Sequence, residues 1–249
     1  MRPRFAASCA ADGIISLAPE HLPEVIQALR TILGDPETDP WRRVRAARAM
    51  VRLDFDEYEE VIGMLTELAN SSSDPDHRFV AARGLAMLGP ALHSDALNTV
   101  RALLADPATP LSTRCDAAGS LGELTPDSND EAVQILRQLA ADPQARADDL
   151  LKAAHNLLTI SRDSDAEAAT WLITTLNDVT AESWTRAEAA DQLIQLQAAD
   201  PHAGINVLRT ILQDAGTEEE LRIWVARRLA KCGSQYREEA LAALTRTSG

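Results

Sequence analysis

Aromatic side chains are scarce in this chain: they make up 4% of its 249 residues, against a hydrophobic share of 45%. Small side chains, chiefly alanine, must therefore do much of the core packing, which suits helices that approach each other closely. Positive charge is also in deficit, because 24 Lys and Arg stand against 38 Asp and Glu and give a formal net charge of −14. Such a chain repels phosphate backbones on average, which disfavours nucleic-acid binding as a general function.

Cysteine is rare as well, and Cys9, Cys115 and Cys232 lie far apart in the sequence. We expect reduced, buried thiols and a reducing compartment, which means a cytoplasmic protein. No apolar run approaches the length of a membrane span, and the N-terminus lacks the continuous apolar segment of a signal peptide. The sequence therefore predicts no membrane contact.

Motifs for catalysis and for cofactor binding are missing too. No two of the histidines stand three or four residues apart, so no helix offers a ready metal pair; the histidines are His21, His77, His93, His155 and His202. We find no Gly-rich phosphate loop, no nucleophile elbow and no Cys–His pairing. The sequence predicts no metal, no cofactor and no catalytic residue.

What the chain does have is an alanine that recurs every 35 or 36 residues. The series consists of Ala11, Ala47, Ala82, Ala118, Ala154, Ala190 and Ala226, and a large apolar residue follows each alanine after three residues, as in Met50 and Leu85. A fixed period in this range indicates a stack of equivalent supersecondary units. We name the helix that carries this alanine helix A.

A second series, in helix B, has the same period: Leu29, Leu65, Val100, Leu136, Leu172, Leu208 and Leu244. The agreement of the two series predicts seven helix pairs in an all-α, right-handed α-solenoid that forms a single domain over residues 1–249. The approximate units are 1–35, 36–71, 72–106, 107–142, 143–178, 179–214 and 215–249. Turns such as Asp35-Pro36 end helix B, and Gly89 and Gly233 are expected to end helix A in a left-handed conformation.

The stretch DPDHRFVAARGLAMLG, residues 74–89, closely resembles the first helix of HEAT-like repeats. The similarity is strongest to the short bacterial repeats that also occur in phycobilin-lyase-type proteins. It implies a solenoid whose B helices line the concave surface, and it implies no particular activity. Helix A also carries an arginine series, Arg43, Arg78, Arg114, Arg186 and Arg222. The resemblance implies a structural ladder in which Arg43 pairs with Asp39, and Arg78 with Asp74.

A further arginine series directly follows the leucines of helix B: Arg30, Arg101, Arg137 and Arg209. On a concave face these guanidinium groups could bind carboxylates or phosphates of a partner. The alternative is a solvated face in which they pair with the acidic series near the start of helix B, which consists of Glu24, Glu60, Asp95, Glu131, Glu167 and Glu239. Thr66, Ile173 and Thr245 interrupt the arginine series, and Ala203 interrupts the acidic one.

The regular repeat without a cluster of convergent polar residues favours a non-catalytic scaffold or sensor module that binds a protein or peptide. Both end units keep apolar residues where solenoids normally have polar caps, so we expect a segment of a larger bacterial protein. One alternative is nucleic-acid binding through the helix B arginines. Another is a HEAT-like enzyme, similar to DNA glycosylases or bilin lyases, built around the fifth unit, where Leu150, Trp171 and Ile173 depart from the repeat. Trp41 and Trp184 share one register at the start of helix A, which predicts repeat packing.

Overall fold

The computed structural model describes residues 19–53, 58–196 and 201–245, and within these ranges the chain forms thirteen α-helices and no strand. In chain order they are α1 (Leu22–Gly34), α2 (Pro40–Leu53), α3 (Tyr58–Ser71), α4 (Pro75–Leu88), α5 (His93–Ala105), α6 (Leu111–Leu124), α7 (Asn129–Ala140), α8 (Ala147–Ile160), α9 (Asp165–Asn177), α10 (Ser183–Gln195), α11 (Pro201–Gln213), α12 (Glu219–Leu229) and α13 (Ser234–Thr245). Even-numbered helices are the predicted A helices and odd-numbered helices the predicted B helices. The predicted all-α solenoid of HEAT-like repeats is confirmed.

The helices group into two compact units, Met1–Leu124 and Thr125–Gly249. Within each unit every helix packs on its neighbours in sequence, and successive A helices also pack on each other: α2 on α4 and α4 on α6 in the first unit, α8 on α10 and α10 on α12 in the second. Among the described residues, no helix is both long and apolar enough to cross a membrane. The single domain and the right-handed sense of the solenoid stay predictions.

The alanine series lies in the core of both units. Each of its described members is at most 2% exposed: Ala47, Ala82, Ala118, Ala154, Ala190 and Ala226. The large residues three positions later are buried as well, and Met50, Leu121 and Leu193 are fully enclosed. Small side chains let the A helices approach closely, and the larger ones fill the layer beneath. Ala11 and its neighbours Ile14 and Leu17 lie outside the described residues.

The helix B series is buried from Leu29 to Leu208, whereas Leu244 in α13 is only half-buried. Five of the B helices end at an aspartate whose side-chain Oδ1 accepts a hydrogen bond from the backbone N–H two residues later, over 2.8–3.0 Å. These aspartates are Asp35, Asp106, Asp142, Asp178 and Asp214. The predicted Asp-Pro ends are therefore confirmed, and Asp178 and Asp214 form the same turn without a following proline.

The predicted left-handed end of helix A is wrong at Gly89. Gly89 follows α4 with φ 159° and ψ 160°, an extended conformation far from the left-handed helical values near 57° and 47°. Gly233, after α12, has φ 151°. At Gly89 the chain therefore leaves helix A through an extended residue.

Candidate binding faces of the repeat helices

Arginines of helix B bind glutamates of the next helix B in the same unit. In the first unit, Arg30 of α1 donates from Nε and Nη2 to both carboxylate oxygens of Glu60 in α3, each over 2.7 Å. In the second, Arg137 of α7 donates to both oxygens of Glu167 in α9 over 2.8–3.0 Å. We call these contacts the B-helix ladder.

The third such contact joins Arg209 of α11 to Glu239 of α13, with Nε 3.0 Å from Oε1 and 2.8 Å from Oε2. Gln213 adds a hydrogen bond to the same carboxylate over 2.9 Å. In all three pairs the glutamate follows the arginine after 30 residues. Arg101, the remaining member of the predicted binding series, is exposed on α5.

The ladder bears directly on the predicted ligand site of Arg30, Arg137 and Arg209. Their side chains are 34–42% exposed, so solvent reaches them, yet each guanidinium already holds a carboxylate. The hydrogen bonds that Arg137 donates to Glu167 raise the pKa of this arginine above its ordinary value. An anionic ligand at these positions must displace a glutamate that sits in bidentate geometry. The ladder is the arrangement that the sequence offered as the alternative to a ligand site.

Helix A arginines bind backbone carbonyl groups. Arg43 donates from Nε to the Leu33 carbonyl over 2.7 Å, and Arg78 to the Ala69 carbonyl over 3.2 Å. The implied partners Asp39 and Asp74 instead accept hydrogen bonds from backbone N–H groups at the starts of α2 and α4. Each guanidinium thus reaches the last turn of the preceding helix B, where carbonyls lack helical partners.

The remaining helix A arginines vary this contact. Arg186 donates to the Leu176 carbonyl over 3.2 Å, and Arg222 donates from Nη2 to the Thr217 carbonyl over 2.7 Å. In the helix A arginine series, as far as the structure describes it, Arg114 differs from the others because its Nε is buried and has no hydrogen-bond partner. Burial lowers the pKa of Arg43, although the nearby Asp35 opposes that shift. The series joins the start of helix A to the end of the helix B before it.

The fifth unit uses its buried carboxylate to begin a helix. Asp149, only 4% exposed, accepts a hydrogen bond from the Arg146 backbone N–H over 3.0 Å at the start of α8. Leu150 and Trp171 are half-buried, and Ile173 is 41% exposed. These departures from the repeat replace charged groups by apolar ones, so they add no acid, base or nucleophile to this unit.

The outer face of α2 is strongly basic. The helix contains five arginines and no acidic residue. Trp41, Arg45 and Arg52 are exposed, and Arg48 is half-buried between them. We call the face formed by Trp41, Arg45, Arg48 and Arg52 the arginine face. This face is not among the predicted sites, and its signal in the sequence is five arginines without an acid in one segment of a chain that has an excess of acid.

Arg83 of α4 adjoins the arginine face. Its guanidinium carbon lies 5.6 Å from the centre of the Trp41 ring, within the range of a cation–π contact. Its Nη2 lies 3.9 Å from Oε2 of Glu123 in α6. Arg83 therefore marks the boundary between the basic outer face of α2 and the acidic end of α6.

The corresponding face of the second unit is aromatic and its charges are paired. The rings of Trp184 in α10 and Trp224 in α12 meet edge to face with centres 5.8 Å apart. Arg228 lies over Trp224 at 4.8 Å and forms an ion pair with Asp191 over 3.5 Å. The register that Trp41 and Trp184 share brings each ring against the next helix A, as the sequence predicted.

In residues 19–53, 58–196 and 201–245, no group of three or more His, Cys, Asp or Glu side chains is placed to bind a metal ion. Cys115 is buried and Cys232 half-buried, and both are free thiols. Burial, with a smaller contribution from Asp191, raises the pKa of Cys232. This thiol is therefore a weak nucleophile at neutral pH. Cys9 lies outside the described residues.

Residues 62–157 match the family model described as HEAT repeats, a stretch that runs from α3 into α8. No curated protein matches the chain. One similar solved structure is titled "Computational Design of Self-Assembling Cyclic Protein Homooligomers"; it is 16% identical, and the alignment covers 98% of this chain and 88% of that one with a TM-score of 0.15. The family match shows that residues 62–157 are HEAT repeats, and the same succession of packed A and B helices continues on both sides of that stretch.

Proposed function

We propose that the chain is a non-catalytic scaffold that binds a protein or peptide through the outer faces of its repeat helices. One observation carries this proposal: the charged groups that recur in the repeat are engaged in structural contacts. Helix B arginines hold glutamates, as Arg30 holds Glu60, and helix A arginines hold carbonyls, as Arg43 holds the Leu33 carbonyl. What varies from repeat to repeat, and is therefore available for recognition, is the exposed side chains between these contacts.

The proposed setting is the cytoplasm of a bacterium. The free thiols of Cys115 and Cys232 suit a reducing compartment. The resemblance of residues 74–89 to short bacterial HEAT-like repeats supports the bacterial origin. Both statements concern where the scaffold works rather than what it binds.

The helix B arginines Arg30, Arg101, Arg137 and Arg209 are one candidate contact for the partner. A partner carboxylate would have to exchange with Glu60, Glu167 or Glu239, and that exchange replaces one Arg–carboxylate pair by another of similar strength. Binding there would gain selectivity more than affinity. The same reasoning disfavours nucleic acid on this face, since each phosphate would displace a glutamate that then lies beside it.

The experiment is affinity capture on the immobilised chain from native lysate, followed by titration of the purified partner. We expect one partner at a fixed stoichiometry. A double variant, Arg101→Glu with Arg137→Glu, weakens the complex if the partner contacts helix B. The matched variant Arg162→Glu with Arg227→Glu changes the net charge equally at exposed arginines elsewhere. Steady turnover of a small molecule, abolished by changing one surface carboxylate, would refute the scaffold proposal.

A further inference from the structure

We propose that the arginine face of α2, together with Arg83, is a docking site for a short acidic segment of the partner. This inference rests on the proposed scaffold function and gives it a surface and a ligand chemistry. It concerns the A helices of the first unit and is independent of the B-helix ladder.

The geometry of α2 arranges the four side chains in one line. Trp41, Arg45, Arg48 and Arg52 follow each other at spacings of four, three and four residues, so at ~100° per residue they fall within about 60° of the helix circumference. At a rise of ~1.5 Å per residue the line is about 16 Å long. An extended peptide spans that length with about five residues at ~3.3 Å each.

The opposite side of α2 is fixed in the core, which keeps this line turned outward. Val44, Ala47 and Met50 are each at most 2% exposed, whereas Trp41 is 44% exposed. The helix is therefore held by its apolar residues, and the arginines are not required to bury it. Because bidentate guanidinium–carboxylate contacts are the strongest ordinary ion pairs, a row of arginines suits successive carboxylates of one strand.

The acidic groups around the face belong to neighbouring segments. Asp39 precedes α2 and accepts a hydrogen bond from the Arg42 backbone N–H. Asp76 of α4 accepts one from the Thr113 hydroxyl. Glu123 lies beside Arg83 at the far edge. The helix itself carries five arginines and no acidic residue, so the charge of this segment is entirely positive.

An aromatic ring accompanies the positive charge. Trp41 lies at the N-terminal end of the line and is 44% exposed. A ring next to guanidinium groups favours peptide recognition, because aromatic residues contribute apolar contact while the arginines fix the carboxylates. An acidic segment with one apolar residue at its end fits this arrangement.

The net charge of the whole chain favours an acidic peptide over a nucleic acid as the ligand of the arginine face. A nucleic acid extends far beyond a 14-residue helix and meets the field of a chain with net charge −14. A peptide of about five acidic residues stays within the ~16 Å line and within a few Debye lengths of its charges. The short, local patch therefore favours the peptide.

The test is a fluorescence anisotropy titration with a labelled peptide in which an aromatic residue precedes five successive glutamates. Its matched control replaces the glutamates by glutamines. We expect the full chain to bind the acidic peptide at least about tenfold more tightly than the control, and to lose about tenfold in affinity when salt rises from about 50 to about 500 mM. Equal binding of the two peptides, or none of either, would overturn the inference.

Two variants locate the site. Arg45→Glu, Arg48→Glu and Arg52→Glu together should weaken acidic-peptide binding at least about tenfold, as should the glutamine set at the same positions, which spares the fold from charge reversal. The control carries Arg162→Glu, Arg227→Glu and Arg237→Glu, three exposed arginines elsewhere, and should bind as the wild type does. Circular dichroism verifies that each variant keeps its helices. Equal losses in both sets would overturn the site, because they would report net charge alone.

The remaining outcomes separate this inference from the scaffold proposal. If the wild type ignores the acidic peptide but retains a protein partner from lysate, the inference fails and the scaffold stands. If single-stranded or duplex DNA binds more tightly than the peptide and loses binding in the Arg45, Arg48 and Arg52 variant, the arginine face serves nucleic acid and the inference is overturned. If the chain turns over a small molecule, and variants of the arginine face do not change that activity, the scaffold proposal itself is refuted.

Discussion

The Arg209 guanidinium and the Glu239 carboxylate join two successive B helices, with Nε 3.0 Å from Oε1 and 2.8 Å from Oε2. Arg137 and Glu167 form the same contact two repeats earlier in the chain, and Arg30 and Glu60 form it in the first compact unit. The fold thus places a charged pair at the same point of three of the repeats. Because the pair spans 30 residues, it stabilises the stacking of repeats rather than any single helix.

The stacking role predicts coupling between Arg209 and Glu239. In a double-mutant cycle with Arg209→Gln and Glu239→Gln, we expect a coupling energy of about 0.5–1 kcal/mol, because both side chains are partly exposed and solvent screens the pair. Urea unfolding of the four proteins measures it, and high salt should reduce it. As a control, Arg227→Gln with Glu239→Gln should be additive to within about 0.3 kcal/mol. Coupling of the same size in the control would mean that the effect is long-range.

The contact between a helix A arginine and a backbone carbonyl predicts that two neighbouring arginines of α2 contribute differently to stability. Arg43→Met should lower the free energy of unfolding by about 1–2 kcal/mol, since the Leu33 carbonyl loses a charged hydrogen bond of 2.7 Å. Arg42→Met, at the exposed adjacent position, should change it by less than about 0.5 kcal/mol. Chemical denaturation of both variants provides the measurement. Similar losses at the two positions would show that Arg43 contributes only helix propensity.

The sequence predicts the core well, because residues at equivalent positions of the 35- or 36-residue repeat are buried alike. Ala118 and Leu121 stand where the alanine series and its companion require a buried residue, and both are fully enclosed. The same spacing should also have identified Asp178 and Asp214 as ends of helix B, since they follow Asp142 at intervals of 36 residues. The Asp-Pro pattern does not include these two aspartates, because no proline follows them. The turn itself depends on the aspartate side chain and not on the proline.

Side-chain partners are harder to predict, because several acceptors lie within reach of one long arginine. Arg43 can reach Asp39 along its own helix, but the fold brings the Leu33 carbonyl to it from the preceding helix. For the B-helix ladder the sequence held a usable signal: Ile173 replaces an arginine, and Ala203, 30 residues later, replaces the corresponding acid. Loss of both partners together is what a structural pair predicts, although Thr66 also replaces an arginine while Asp95 keeps the acidic position of the next B helix.

Replacing either of two glycines by alanine should change the free energy of unfolding, with opposite signs at the two positions. A Cβ on Gly204 in α11 would lie 2.7 Å from the Ala190 carbonyl oxygen and 2.9 Å from Ile194 Cγ1, so Gly204→Ala should destabilise the protein by about 1–3 kcal/mol. Gly63 in α3 has open space around its Cβ position, and Gly63→Ala should stabilise by up to about 1 kcal/mol through helix propensity. Thermal unfolding measures both. Stabilisation by Gly204→Ala would show that α10 and α11 can separate without cost.

The turn after α9 predicts a dependence on pH. Hydrogen bonds from the Thr180 hydroxyl and backbone N–H, over 2.7 and 2.8 Å, hold the pKa of Asp178 below its ordinary value of about 3.9. A carboxylate with a lowered folded-state pKa adds stability above its unfolded pKa, and that stability disappears as pH falls through the folded pKa. Wild type should therefore exceed Asp178→Asn in unfolding free energy at neutral pH, and the difference should shrink below about pH 4.

Thr180→Ala supplies the control, because it removes the hydroxyl donor and leaves the backbone donor in place. In that background the substitution Asp178→Asn should cause a smaller difference at neutral pH, and the difference should fade less as the solution is acidified. Urea titrations of the four proteins at a series of pH values measure the effect. If Asp178→Asn costs the same at every pH, the aspartate acts in this turn as a neutral acceptor, and the charge of its carboxylate does not stabilise the end of α9.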